Sequence, residues 1–387
     1  MELLSNAVAG RDLAALVALE RASHARDPEA LDLFGALHAM ALVPGVDAAL
    51  ATIDTIRERG FLHPPPPHHV PQGYSHLPPG RFVRRKNRTL QHADWAARSY
   101  GAVLAFTHVA EASRVIDAIV TRFGEGATEL HDLYGCFLQE CVVRGARFEG
   151  DAALRLAAAL ADAGHPLAVL PITRLGIEAG VERCASEYGV RSSGSWSMAT
   201  APRVASPPSP AHALQLDDVT APADARIAAA FESHCLVSNG KSEARVFCVT
   251  PSVAEVSDVG LVRALSQAPS LECLRGLKTA DDALQVRRFE ASDALHALLV
   301  FASNGGDYNV DWSGAHGRLA AWRALAGLVD APSDASLADV EARAIRCRFL
   351  YFQPSTDWFY HVVTDLGLAC VRDDFASVAV LAGTDTD

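Results

Sequence analysis

Apolar residues recur three and four positions apart through most of the first half of the chain. The clearest run is Ala112, Val115, Ile116, Ile119, Val120 and Phe123, one continuous stripe that predicts a helix ended by Gly124. Before it, Leu13, Leu16 and Val17 share a face, Asp27-Pro28-Glu29 reads as an N-cap with proline at the first helical position, and Val46 to Arg57 repeats the periodicity. After it, Glu129 to Arg144 and Gly150 to Ala163 continue the series, and His165 to Gly180 reads as one more helix with Pro171 near its start. These are short antiparallel helices with no fixed repeat period.

Beyond Ala223 the period changes. Ala244 to Thr250 and Leu284 to Phe289 read as strands, while Val259 to Gln267, Glu290 to Ser303 and the stretch near Leu337 to Cys347 read as helices. Leu366, Leu368 and Cys370 alternate with smaller residues, as do Val378 and Val380 across a turn at Asp373-Asp374, which predicts an antiparallel hairpin. The expected fold is α+β: a mostly helical N-terminal array followed by a smaller mixed domain carrying that hairpin.

Two stretches break the pattern. Residues 61–90 hold Pro64 to Pro67, Pro71, Pro78 and Pro79, which forbid helix and predict a long loop. Its histidines, His63, His68, His69 and His76, lack the spacing that presets ligand geometry, so no metal site is expected. Residues 191–223 are rich in Ser, Pro, Ala and Gly and too poor in large apolar groups to offset the entropy of ordering. They form the expected linker between a helical domain, 1–190, and an α+β domain, 224–387.

The densest candidate chemistry lies between Phe301 and Leu328. Asn304, Gly305 and Gly306 stop the preceding helix, a loop carries Asp307, Tyr308, Asp311 and Trp312, and a new helix begins near Ala315 with His316 and Arg318 in its first turn. In one reading the free N–H groups of that turn, with Arg318 and His316, hold a phosphate or carboxylate. In the other, which we favour, the glycines make a tight turn and Arg318 pairs with Asp307 or Asp311. The spacing lacks the ordered glycines of a phosphate loop, and Ser313 with His316 lacks the strand and helix context of an acyl-transfer site. Trp358 opens an aromatic run, Trp358-Phe359-Tyr360-His361, of the kind that forms core or partner surface, and Asp365 follows it. The terminal Thr384-Asp385-Thr386-Asp387 reads as a frayed tail. His131, Asp132 and Glu140 read as solvated helix faces.

Composition narrows the partners. A formal net charge of −12 disfavours nucleic acid and anionic membranes, and the one dense basic cluster, Arg81, Arg84, Arg85, Lys86 and Arg88, is read as pairing with acidic helices. No apolar run approaches a membrane span, and the N-terminus lacks the basic start and long apolar core of a secretory signal, so a soluble cytoplasmic protein is expected. The 8 cysteines form no C-x-x-C pair, and most are read as small core residues. The three lysines, Lys86, Lys241 and Lys278, against abundant Ala and Arg point to the coding bias of a GC-rich bacterial genome.

The succession SNGGDY, GAHGRLAAWRALAGL, TDWFYHVVTDLGLACV and VAVLAGTDTD resembles the C-terminal signature of a bacterial protein family of unknown function, over roughly Ala244 to Asp387. The resemblance implies that the glycine loop, the Trp358-Phe359 run and the Thr-Asp tail share one domain. It transfers no catalytic residue and implies no cofactor. The expected function is that of a non-enzymatic binding or interaction protein, of regulatory or immunity type, whose partner is another protein. The alternative is an enzyme acting on a phosphorylated or carboxylated small molecule, with Arg318 as anion clamp and His316 or Asp365 as acid/base. Asn304, Gly305, Gly306, Tyr308, His316, Arg318, Trp358 and Asp365 are the candidate ligand-binding residues.

Overall fold

A computed structural model describes residues 13–15, 39–59, 91–186, 189–190, 214–237, 240–277, 285–304, 314–353, 356–361 and 364–385. Contacts divide the chain into two units. The first holds Met1–Arg174, Ala185–Gly189 and Asp311–Ala315; the second holds Leu175–Cys184, Val190–Val310 and His316–Asp387.

The first unit is helical: α1 (Val46–Arg59), α2 (Gln91–His108), α3 (Ala112–Phe123), α4 (His131–Val143) and α5 (Ala152–Asp162). Its core gathers Ile53, Ile56, Leu104, Ile116, Tyr134, Phe137 and Leu156. The α3 stripe turns inward as its spacing predicts, with Ala112, Val115, Ile116 and Ile119 buried. α4 differs, because nearly all of it is buried, and α2 lies against it so closely that a Cβ on Gly101 would meet Cys136 at 2.7 Å. Glu140, read from sequence as part of a solvated face, is fully buried within α4 and pairs with Arg144 one turn on, at 3.5 Å. His131 is also buried, its Nε2 3.1 Å from the Glu125 carbonyl.

The helix expected from His165 to Gly180 does not form. Short 3-10 turns at Pro166–Val169, Gly176–Glu178 and Val181–Cys184 take its place. Pro171 explains the failure, since it has no N–H to donate and forces the preceding Leu170 into extended backbone at φ −87, ψ 133. Leu175–Cys184 belongs to the second unit, where the Ile177 N–H donates to Glu341 at 2.8 Å.

The second unit is built on an antiparallel sheet: β1 (Gln215–Asp218), β2 (Lys241–Thr250), β3 (Gln285–Phe289), β4 (Arg348–Gln353), β5 (Thr364–Val371) and β6 (Ser377–Asp385), in the order β1-β2-β6-β5-β4-β3. Its helices are α6 (Glu232–Val237), α7 (Asp258–Leu265), α8 (Ala291–Asn304), α9 (Gly314–Leu328) and α10 (Leu337–Arg346). The hairpin expected from alternation is β5–β6, with Leu368 opposite Leu381. β1 and the first two residues of the 3-10 segment Pro222–Phe231 fall inside the stretch read as a linker, whose residues 191–213 lie outside the described set. On one face, Phe247, Leu350, Phe352, Val378 and Val380 pack with Leu261 and Leu265 of α7. The other face takes α8 and the segment Pro222–Phe231.

Gly383 lies on that second face, where any Cβ would collide with the Phe231 ring. Gly383→Ala is therefore expected to cost about 1–3 kcal/mol in urea unfolding through overpacking. Gly126→Ala, where a Cβ meets nothing within 4 Å, should change stability by less than about 0.5 kcal/mol. Equal effects would refute the packing argument.

Candidate functional site

The side chains with most chemistry in the second unit meet at one end of its sheet. Lys241 of β2 pairs with Thr384 of β6, which pairs with Asp365 of β5, so the three stand in one row on one face. The Thr384 hydroxyl donates to Asp365 Oδ1 at 2.5 Å and accepts the Tyr360 N–H at 2.9 Å. The His361 N–H donates to Asp365 Oδ2 at 3.1 Å, and His361 Nδ1 lies 3.5 Å from the same oxygen. His361 Nε2 reaches the Thr356 carbonyl at 3.1 Å, and the Thr356 hydroxyl donates to the Cys273 carbonyl at 2.8 Å.

These bonds fix the turn Thr356–His361 over the sheet end. Phe359 is its buried anchor, edge-on to Trp358 with ring centroids 4.8 Å apart. The Lys241 ammonium stands 4.8 Å from the Trp358 ring centre and 4.7 Å from that of Tyr360, a double cation–π contact. His361 takes the left-handed region at φ 56, unusual for a residue with a Cβ, and its contacts with Asp365 and the Thr356 carbonyl hold it there.

Asp385, the residue after Thr384, points to the opposite face. Its Oδ2 lies 3.0 Å from His234 Nδ1, and His234 Nε2 lies 2.7 Å from the Phe301 carbonyl, with both side chains fully buried. A carbonyl only accepts, so the hydrogen of this contact lies on Nε2. Thr384 and Asp385 thus close β6 as buried, bonded residues, which corrects the reading of this stretch as a frayed tail. Thr386 and Asp387 lie outside the described residues.

A second polar cluster sits inside the unit. Glu178 receives Arg318 Nε at 2.6 Å and Nη2 at 2.8 Å, the Trp322 indole N–H at 2.9 Å and the Leu175 N–H at 2.8 Å. Burial pushes the Glu178 carboxyl up, but the Arg318 bonds and charge, then Trp322 and Leu175, outweigh it and hold the group below the usual glutamate value.

Residues 76–387 match the family described as a family of unknown function (DUF6183). The chain belongs to this family. The match reaches into the helical unit, well beyond the roughly Ala244 to Asp387 over which the resemblance is legible in sequence. No curated protein and no solved structure matches the chain.

Of the residues singled out in sequence, the structure brings Trp358 and Asp365 together at the sheet end of this family member. Arg318 lies apart from them, buried on α9 with Glu178, and His316 is half-buried in the first turn of that helix. Asn304 ends α8. Gly305, Gly306, Asp307, Tyr308 and Asp311 lie outside the described residues, and with them the expected pairing of Arg318 to Asp307 or Asp311. Sequence reasoning missed Glu178, His234, Lys241, Thr384 and Asp385. Glu178 and Arg318 are 140 residues apart, and nothing local marks them as partners.

Glu178→Gln is expected to cost about 3–5 kcal/mol, since it leaves a buried guanidinium uncompensated. The depressed carboxyl adds stability in full above the ordinary glutamate value, about 4.3, and loses it as pH falls from there through the folded value. Urea unfolding between about pH 7 and 3 should therefore show a weaker acid dependence in the variant than in the wild type. Parallel curves would contradict the assignment.

Proposed function

We propose that this chain is a non-enzymatic interaction protein, and that the turn Thr356–His361 is the surface with which it grips another protein. The observation that carries the reading is rigid display. Tyr360 is 39% exposed and Trp358 half-buried, yet both stand on a turn whose backbone and side chains are bonded to β5, β6 and Cys273. Aromatic rings presented in a fixed geometry give large contact area with little rotamer entropy left to lose, the usual make-up of an interface hot spot. Lys241 and the imidazole of His361, whose side chain is 42% exposed, supply polar groups at the rim.

In this reading Asp365 and Thr384 are positioning residues. They hold the turn and do not react. The buried His234–Asp385 pair braces the other side of the same strand end.

The test places a photo-activated benzoylphenylalanine at Tyr360 in the native host, with the same group at exposed Val219 as control. One discrete protein adduct from position 360 is expected, absent from position 219. Trp358→Ala should lower its yield about tenfold, as loss of about 1.4 kcal/mol at a hot spot requires. No adduct at 360, or the same adduct from 219, would overturn the proposal.

A further inference from the structure

Lys241 opens β2 in the row that Thr384 and Asp365 continue across β6 and β5, and its ammonium is the cation of that row. It stands against two rings, 4.8 Å from the Trp358 centre and 4.7 Å from the Tyr360 centre, and is partly exposed. Rings attract a cation but bring no carboxylate or carbonyl oxygen to its N–H groups. Among the described residues Lys241 forms no ion pair.

The carboxylates beside it are already committed. Asp365, in the same row, accepts the Thr384 hydroxyl at 2.5 Å and the His361 N–H at 3.1 Å. Glu243, two residues along the same face of β2, accepts the Glu272 and Cys273 N–H groups at 2.9 and 2.7 Å. The ammonium is therefore held in place by the rings with no anion against it, the freedom of its long stem already lost and part of its water replaced by carbon. At such a point a carboxylate gains more than a neutral carbonyl, because the bond is charge-assisted and less screened than on open surface.

On the reading of the Thr356–His361 turn as a protein-binding surface, we propose that the partner sets an Asp or Glu carboxylate on the Lys241 ammonium as its apolar groups pack against Trp358 and Tyr360. The rings supply contact area and the ammonium supplies selection. A partner segment without the acid would cover the cation and leave it unpaired, and a basic segment would be repelled. The segment that fits is acidic and apolar together.

The test uses the full-length protein carrying the photo-activated group at Tyr360, irradiated in a lysate of the native host. The adduct, kept native, is treated with a water-soluble carbodiimide, which joins an amine to a carboxylate in contact with it, then digested and mapped by mass spectrometry. The expected product is an amide between Lys241 and an Asp or Glu of the partner, lighter by a water than the two separate peptides. Lys241→Met should lower the adduct yield about fivefold and Lys241→Arg by less than about twofold, because the charge is what the partner reads. An adduct at position 360 in which Lys241 stays uncoupled, or one that forms equally well in Lys241→Met, would overturn this inference and leave the interaction reading standing. No adduct at position 360 would overturn both.

Discussion

Two consecutive residues at the end of β6 carry much of the second unit's organisation. Strand geometry sends Thr384 to one face of the sheet and Asp385 to the other, and both are fully buried. Thr384 bonds Asp365 and the Tyr360 amide; Asp385 meets His234, which reaches α8 through the Phe301 carbonyl. A polar group taken out of water costs stability unless it is bonded, so each of these side chains fixes the position of what it touches. A helix on one side and an aromatic turn on the other are thereby tied to the same two links of a central strand.

The charged groups of this unit follow the same logic. Arg318 and Glu178 are held bidentately beside Trp322, Arg372 just after β5 donates to the carbonyls of Leu328 and Gly327 at the end of α9, and Glu243 of β2 receives the N–H groups of Glu272 and Cys273. In each case an ionised side chain meets backbone groups or a partner from a distant part of the sequence. Such pairs define geometry more than they add net stability. The residues left facing solvent around the sheet end include Tyr360, the half-buried Trp358 and the imidazole of His361.

Periodicity made much of the fold legible. The α3 stripe, the β5–β6 hairpin and the ends of α8 and α10 all follow from local patterns of apolar residues, caps and glycines. What stayed hidden depends on distant contacts. Glu140 looks like an ordinary helix-face acid because α4 carries no amphipathic contrast, being buried nearly all round. The helix expected after His165 ignored the restriction that Pro171 places on Leu170. Thr384 and Asp385 were misjudged from their nearness to the chain end, although their alternation continues that of β6. The candidate site was half legible: Trp358 and Asp365 were marked by composition, but the partners that position them come from β2 and β6.

Thr384 holds the turn through the Tyr360 amide, and amide exchange reads this directly. Hydrogen exchange measured by NMR should show the Tyr360 and His361 amides protected in the wild type, since they donate to Thr384 and Asp365. In Thr384→Val their protection should fall at least tenfold, while amides in the middle of β6 keep theirs. Exchange of the Tyr360 amide at free-loop rates in the wild type, or unchanged protection in the variant, would contradict the claim that this strand end holds the turn.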